Sequence, residues 1–168
     1  RPFFLSEDEA ARIGHASETI ARVGETVVAA AVSARPELLD AVGLSEAERQ
    51  LVAYDPGYAR ASTSSRLDAF LLPERLAFAE YNAEAPAGLG YTENLAEIFD
   101  ALPVMARFRE RFHARYHRLG EGILAALLES YREWGGTASP PQVLITDWRE
   151  VPTWNEFLIL QDRFTRLG

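Results

Sequence analysis

"RLDAFLLPERLAFAEYNAEAPAGLGY", residues 66–91, is the stretch of sequence that most directly predicts a fold. Two apolar runs flank a Pro-Glu-Arg turn at residues 73–75, a pattern typical of two antiparallel strands joined by a tight turn. A loop rich in Pro and Gly follows the second run, at residues 83–91. Four polar side chains interrupt the apolar runs: Arg66, Asp68, Glu80 and Asn82.

These four polar residues are predicted to lie on one face of the hairpin. If the turn is centred on Glu74, Asp68 lies opposite Glu80 across the strand pair, and Arg66 lies opposite Asn82. Directly opposed side chains have Cβ atoms roughly 5 Å apart, and like charges so placed repel each other. Asp68 and Glu80 therefore destabilise the hairpin unless a proton or a cation lies between them.

The donor atoms on this face suit a magnesium ion. Asp68, Glu80 and Asn82 offer hard oxygen ligands of the kind that Mg²⁺ prefers. The neighbouring Arg66 suits a phosphate or a developing oxyanion. The alternative is a solvated hairpin face with an ion network among Arg66, Asp68 and Glu80. We favour the metal site because such a network does not explain the Pro/Gly loop that follows.

The rest of the chain is predicted to be mainly helical. Cap, Pro and Gly signals bound a succession of apolar-periodic segments. The predicted helices cover residues 7–34, 36–43, 45–54, 92–102, 103–119, 120–136 and 154–167. A short apolar run at residues 142–148 predicts one further strand, which leads into the last helix.

Several helix starts carry capping signals. Three Ser/Thr-x-x-Glu patterns predict capping boxes, in which the glutamate folds back onto the start of its own helix. The three pairs are Ser6 with Glu9, Ser45 with Glu48, and Thr153 with Glu156. Thr92 is predicted to cap the helix that follows the hairpin.

Composition limits the classes of function. The chain has 168 residues, a net charge of −8 and no cysteine. The lack of cysteine excludes disulfides, thiolate metal sites and a cysteine nucleophile. The negative charge disfavours nucleic acid and anionic membranes as partners. No leader or membrane span is visible, so a cytoplasmic location is expected. All 17 basic residues are arginine, which excludes lysine-based chemistry in this sequence.

A pair of histidines is a weaker candidate site than the hairpin. His113 and His117 are four residues apart on a predicted helix and could bind Zn²⁺ with a third ligand, such as Glu110 or Glu121. Their segment is densely cationic, which favours an exposed, solvated pair instead. We therefore expect no zinc site there.

Three further residues are candidates for contacting a substrate. Asp147 and Arg149 directly follow the predicted strand, and ligands bind at the carboxyl ends of strands in open α/β sheets. An ordinary strand-to-helix turn is the alternative for these two residues. Glu84, in the Pro/Gly loop, is the third candidate.

The sequence of Arg-x-Asp, hairpin, Glu-x-Asn and Pro/Gly loop resembles the metal-binding end of an ATP-grasp ligase. It is most similar to circularly permuted ATP-grasp proteins of the glutathionylspermidine synthetase-like group. The later segment "QVLITDWREVPTWNEF" stands in the same order as in that group. The resemblance implies an α+β fold, with a helical part and the ATP-grasp-like hairpin at residues 1–138. Residues 139–168 would begin a preATP-grasp, Rossmann-like α/β domain.

The resemblance also implies an activity and a role for each hairpin residue. Asp68, Glu80 and Asn82 would hold the Mg²⁺ that bridges the phosphates of ATP. Arg66 would act in catalysis by stabilising the transferring phosphoryl group. The product would be an amide formed from a small-molecule or peptide carboxylate and an amine, through an acyl-phosphate.

The sequence lacks two features expected of an ATP-grasp ligase, which are lysines and further strands. The lysines that grip the nucleotide in this family are absent here, so nucleotide-binding residues are expected outside this sequence. A lone hairpin and a lone strand predict unpaired edges, which could pair with another chain and lead to self-association. The alternative function is a non-catalytic helical interaction module with a degenerate hairpin.

Overall fold

A computed structural model describes residues 2–33 and 35–168 and confirms the predicted α+β class. Its described part has seven helices and one antiparallel two-stranded sheet. The elements are α1 (Glu7–Ser33), α2 (Glu37–Val42), α3 (Glu46–Val52), β1 (Arg66–Leu71), β2 (Leu76–Asn82), α4 (Leu89–Asp100), α5 (Pro103–Arg109), α6 (Leu119–Glu133) and α7 (Trp154–Leu167). None of the described helices combines the length and the apolar character needed to cross a membrane.

Two of the three predicted capping boxes are present. At the start of α1, the Ser6 amide donates to the Glu9 carboxylate over 2.8 Å, and the Glu9 amide donates to the Ser6 hydroxyl oxygen. Ser45 and Glu48 repeat this arrangement at the start of α3. The bonds from Ser6, first of all the one from its backbone, lower the pKa of Glu9. The predicted end of α1 at residue 34 lies outside the described residues.

The predicted helix over residues 103–119 is wrong in its second half. Helix α5 ends at Arg109, and residues 112–118 have no regular secondary structure. The charge pattern contributes to this, because Arg107, Arg111 and Arg115 are spaced four apart. Like charges at this spacing repel on a helix.

The predicted strand at residues 142–148 is also absent from the described structure. These residues form no β-ladder. A strand needs a neighbour to accept its backbone hydrogen bonds, and the described residues offer none there. The segment instead flanks an open apolar groove of about 890 Å³ between α6 and α7.

The hairpin has the predicted register at its open end and a different register at its turn. Strands β1 and β2 pair Arg66 with Asn82 and Asp68 with Glu80, as expected from a turn centred on Glu74. The pairing then shifts by one residue at a β-bulge, so that the turn is closed by Leu72 and Arg75. The two-residue loop between them is tighter than predicted, and the bulge absorbs the extra residue. After the shift Phe78 pairs with Ala69 and Phe70 pairs with Ala77, so the two phenylalanines lie on opposite faces.

Helix α1 and the loop before β1 support the hairpin. The Glu25 carboxylate of α1 accepts a hydrogen bond from the Ser62 amide at 3.3 Å. The Ser62 hydroxyl in turn donates to the carbonyl of Ala83, just after β2. The ring of Tyr81 lies so close to Gly24 that a Cβ there would come within 2.8 Å of it. The hairpin is thus tied to α1 at its open end.

Helices α4, α6 and α7 pack against one another and form the centre of the molecule. The two most deeply buried side chains in the described part of this centre are carboxylates: Glu93 is 1 % exposed and Glu156 is 2 % exposed. Buried carboxylates need hydrogen-bonding or charged partners, since an unpaired buried charge is strongly destabilising. The packing of these helices therefore depends on polar contacts.

Arg163 of α7 provides the positive charge and the hydrogen-bond donors for the polar side chains of α4. Its guanidinium donates to the carboxylates of Glu93 and Glu97 over 3.0 Å, and to the Asn94 side-chain oxygen over 2.7 Å. Glu93 also accepts a hydrogen bond from the Gly120 amide, at the start of α6. One arginine and one glutamate thus join all three helices. The hydrogen bond from Arg163 lowers the pKa of Glu97.

Replacing Arg163 with methionine is expected to destabilise the fold strongly. The change leaves the Glu93 carboxylate buried without its cation, and breaking one side of a buried ion pair costs about 3–5 kcal/mol. Denaturant unfolding at pH 7 measures this difference. Arg166→Met, on the exposed end of the same helix, is the control and should change stability by less than about 1 kcal/mol.

The stability difference between the wild type and Arg163→Met is also expected to depend on pH. Arg163 lowers the pKa of Glu97, so the contribution of Glu97 to stability is fully present above its unfolded pKa of about 4.3. That contribution is lost as the pH falls through the lowered folded value. The stability difference between the wild type and Arg163→Met should therefore shrink from pH 7 to pH 3. A difference that stays constant over this range would contradict the role given to Arg163.

Candidate functional site

The open end of the hairpin carries the four predicted residues on one face. We call Arg66, Asp68, Glu80 and Asn82 the hairpin face. The paired register places the two carboxylates opposite each other and the arginine opposite the amide. The bulge lies beyond Asp68, toward the turn, so it does not disturb this arrangement. Side chains at alternate positions of paired strands point to the same side.

Arg66 connects the strand to the following loop. Its Nε donates to Asp68 Oδ1 over 2.8 Å, and its Nη1 donates to the carbonyl of Ala87 over 2.7 Å. The hydrogen bond and the charge of Asp68 raise the pKa of Arg66, with smaller contributions from the charges of Glu80 and Glu156. The guanidinium is therefore a fixed positive charge at the edge of the carboxylate pair.

The carboxylates retain capacity for a cation. Asp68 receives bonds from Arg66 at 2.8 and 3.4 Å, but the two oxygens of a carboxylate offer about four acceptor sites. Glu80 is exposed, and no hydrogen bond or ion pair engages its carboxylate among residues 2–33 and 35–168. The donor set of two carboxylates and one amide fits Mg²⁺, which completes its shell with water and phosphate oxygens. No cluster of three or more His, Cys, Asp or Glu side chains suited to a metal occurs in the described part of the chain.

Asn82 contributes an unsatisfied polar group. Its Nδ2 is buried and has no hydrogen-bond partner among the described residues. A buried polar atom without a partner is costly, and in native proteins it commonly marks a position that a ligand, an ion or water completes. Rotation of the amide would present its oxygen at the same place.

The three candidate substrate-contacting residues lie in loops. Glu84 is exposed in the segment between β2 and α4. Asp147 and Arg149 are exposed just before α7, where Asp147 Oδ1 accepts a 2.7 Å bond from the Trp148 amide. No hydrogen bond or ion pair in the described structure joins these three residues to the hairpin face. The bond to Trp148 joins neighbouring residues and does not point to a ligand.

The two histidines do not lie on a helix, contrary to the prediction. His113 and His117 lie in the irregular segment after α5, so the four-residue helical spacing does not apply to them. The expectation that they hold no zinc stays a prediction.

Glu156 is a residue of this region that the sequence pattern misassigned. The pattern paired it with Thr153 in a capping box, but Thr153 makes no capping bond in the structure. The Glu156 carboxylate instead accepts from the amides of Gly88 and Gly90, at 2.8–2.9 Å. It thereby caps α4, which begins at Leu89, before the predicted cap Thr92. A glutamate three residues into a helix carries the same sequence signal whether it caps its own helix or another.

Glu80 is expected to be destabilising in the absence of metal. Its charge opposes Asp68 across the strand pair, so Glu80→Gln should leave the melting temperature unchanged or raise it. Asp68→Asn should lower the melting temperature slightly, because it removes the charged acceptor of Arg66. Thermal unfolding in EDTA tests both. A marked loss of stability in Glu80→Gln would show that Glu80 belongs to a structural ion network.

Comparison with known proteins adds no relative to this picture. Neither the protein-family models, nor curated proteins, nor solved structures gave a match to the chain. The functional interpretation therefore depends on the geometry of the hairpin face and on the loop beside it.

Proposed function

We propose that this chain forms part of an ATP-dependent carboxylate–amine ligase, and that the hairpin face binds Mg²⁺ and phosphate. The observation that carries the proposal is the register of the strand pair, which sets Asp68 opposite Glu80 with Arg66 beside them. Two opposed carboxylates repel unless a cation lies between them. Such a pair next to a fixed guanidinium is suited to a metal-bound polyphosphate.

Each residue of the hairpin face has a role in this reaction. Asp68, Glu80 and Asn82 would hold the magnesium ion, which neutralises charge on the ATP phosphates when bound. Arg66 would contact the oxygens of the transferring phosphoryl group. Such contacts act by positioning and by charge stabilisation, which dominate the catalysis of phosphoryl transfer.

The proposed reaction has two steps. An oxygen of the substrate carboxylate attacks the γ-phosphorus of ATP, and ADP leaves. The amine nitrogen then attacks the acyl carbon of the acyl-phosphate, loses a proton and expels inorganic phosphate. The carboxylate substrate is a small molecule or a peptide. We place the reaction in the cytoplasm, the location expected from the sequence.

The finer fold assignment belongs to the same proposal. Residues 1–138 would correspond to the helical and hairpin part of an ATP-grasp-like domain, and residues 139–168 to the start of a preATP-grasp-like domain. The strand-like sequence of residues 142–148, which a short turn joins to α7, supports this order. Its exposed Leu144 and its lack of a described β partner support pairing with a further strand, from this protein or from a second copy.

One observation favours the alternative of a non-catalytic interaction module. Arg66 and Asp68 already form an ion pair at 2.8 Å, with 44 % and 43 % of their side chains exposed. Exposed pairs of this kind are common and contribute little to stability. Metal binding by the hairpin face separates the two functions, because a purely structural network would not need Glu80.

The first test measures divalent cation binding by the chain itself, with Mn²⁺ as the probe. Glu80→Gln and Asp68→Asn should each weaken Mn²⁺ binding at least about tenfold, since each removes one charged ligand of a small donor set. The matched control is Glu74→Gln, which removes the same charge from the turn of the same hairpin. Equal affinities for Glu80→Gln, Glu74→Gln and the wild type would refute the metal site.

A second test separates the role of Arg66 from that of the metal ligands. Arg66→Ala should weaken binding of inorganic triphosphate in the presence of Mn²⁺ by about tenfold, because a guanidinium–phosphate contact is lost. It should leave the affinity for Mn²⁺ alone unchanged or increase it, since Asp68 is released from its ion pair. Arg75→Ala, in the hairpin turn, is the control. Isothermal titration gives both affinities, and equal triphosphate binding by the two variants would remove Arg66 from the site.

A further inference from the structure

We infer that Glu156, on α7, is a positioning residue for Arg66, an inference that rests on the proposed function of the hairpin face. Glu156 is 2 % exposed and lies 90 residues along the chain from Arg66. It does not belong to the hairpin face. It acts on that face through the loop between β2 and α4.

The carboxylate of Glu156 holds the end of this loop from one side. The Gly88 amide donates to both of its oxygens, at 2.9 and 2.8 Å, and the Gly90 amide donates to one of them at 2.8 Å. Gly88 has a φ of 114°, a conformation that residues with a side chain rarely adopt. A charged acceptor makes such bonds shorter and stronger than a neutral one. These bonds thus hold the backbone at Gly88 in a conformation that glycine readily adopts.

Arg66 binds the other side of the same peptide group. The carbonyl of Ala87, which accepts from Arg66 Nη1 at 2.7 Å, and the amide of Gly88 belong to one peptide unit. This unit is planar, and in the trans form its N–H and C=O point in opposite directions. Fixing the N–H with Glu156 therefore fixes the direction of the carbonyl that receives Arg66. Hydrogen bonds linked in this way also polarise one another.

This chain of contacts reaches the metal ligands. The same guanidinium that binds Ala87 donates through Nε to Asp68 over 2.8 Å. The order is Glu156, the Ala87–Gly88 peptide, Arg66 and then Asp68. The orientation of Arg66 toward a phosphate is consequently set by a helix more than sixty residues further along the sequence than that peptide. The coupling crosses the boundary proposed at residue 139.

A purely structural role for Glu156 as a cap of α4 is the competing explanation. The molecule offers a matched control for it. Glu93 is also a buried carboxylate that accepts from a helix-start amide, that of Gly120 at 2.7 Å, and it contacts α7 through Arg163. Glu93 has no described bond to the loop or to Arg66. Glu156→Gln and Glu93→Gln should both lower the melting temperature, but only the first should affect Arg66.

The experiment follows the guanidinium of Arg66 by ¹⁵N NMR. Its signals are assigned by their loss in Arg66→Lys. In Glu156→Gln and Glu156→Asp we expect hydrogen exchange of the Arg66 guanidinium to accelerate at least tenfold, with the signals in Glu93→Gln unchanged. We also expect triphosphate binding in the presence of Mn²⁺ to weaken at least threefold, with the affinity for Mn²⁺ alone unchanged. Unchanged Arg66 signals in the Glu156 variants would overturn the inference.

A reciprocal measurement decides the case even if the Glu156 variants do not fold. Arg66 is half-exposed, so Arg66→Ala should fold, and the amide signal of Gly88 should shift because its peptide has lost the partner of its carbonyl. An unchanged Gly88 signal would overturn the inference. If the NMR effects occur but the wild type binds neither Mn²⁺ nor triphosphate, the proposed function fails while the coupling of Glu156 to Arg66 stands.

Discussion

Most of the structure depends on the contacts by which side chains of α7 hold the starts of α4 and α6. Glu156 and Arg163 lie seven residues apart, which places them on one side of α7 two turns from each other. The Glu156 carboxylate accepts hydrogen bonds from amides at the start of α4. Arg163 binds the Glu93 carboxylate, which accepts a hydrogen bond from the Gly120 amide at the start of α6. Few apolar side chains in the described structure are fully buried, with Ala31 and Met105 below a tenth exposed. The centre is therefore organised by charged hydrogen bonds that require a specific geometry.

This organisation is what allows a small hairpin to carry the proposed metal site. A two-stranded sheet alone is marginally stable in water. Here the hairpin is tied to α1 through Tyr81 and to α4 through the loop that Arg66 contacts. The arginine is consequently held in place by bonds at both ends of its guanidinium. A site that is fixed in advance loses less free energy on binding than one that must be ordered.

The parts of the fold that the sequence predicted are those set by local interactions. The capping boxes at Ser6 and Ser45, the end of α2 at Gly43 and the register at the open end of the hairpin all follow from residues near one another in the chain. The failures arise where distant residues intervene. The Glu156 carboxylate does not cap its own helix, because two amides at the start of α4 donate to it instead. Helix α4 begins before Thr92 because its cap is supplied by a residue of α7. Residues 142–148 have a strand-like sequence, but the described chain gives them no partner.

The site shows the same division. Period-two alternation was enough to bring Asp68, Glu80, Asn82 and Arg66 together, whereas nothing in the sequence marks Ala87 or Glu156 as their neighbours.

The most direct test of the account is a titration of the ¹⁵N-labelled protein with Mn²⁺, whose unpaired electrons broaden nearby amide signals. The account predicts that amides of residues 66–68 and 80–82 broaden first, at substoichiometric metal. Broadening that begins instead at the acidic start of α1, or is spread over all acidic surfaces, would contradict it.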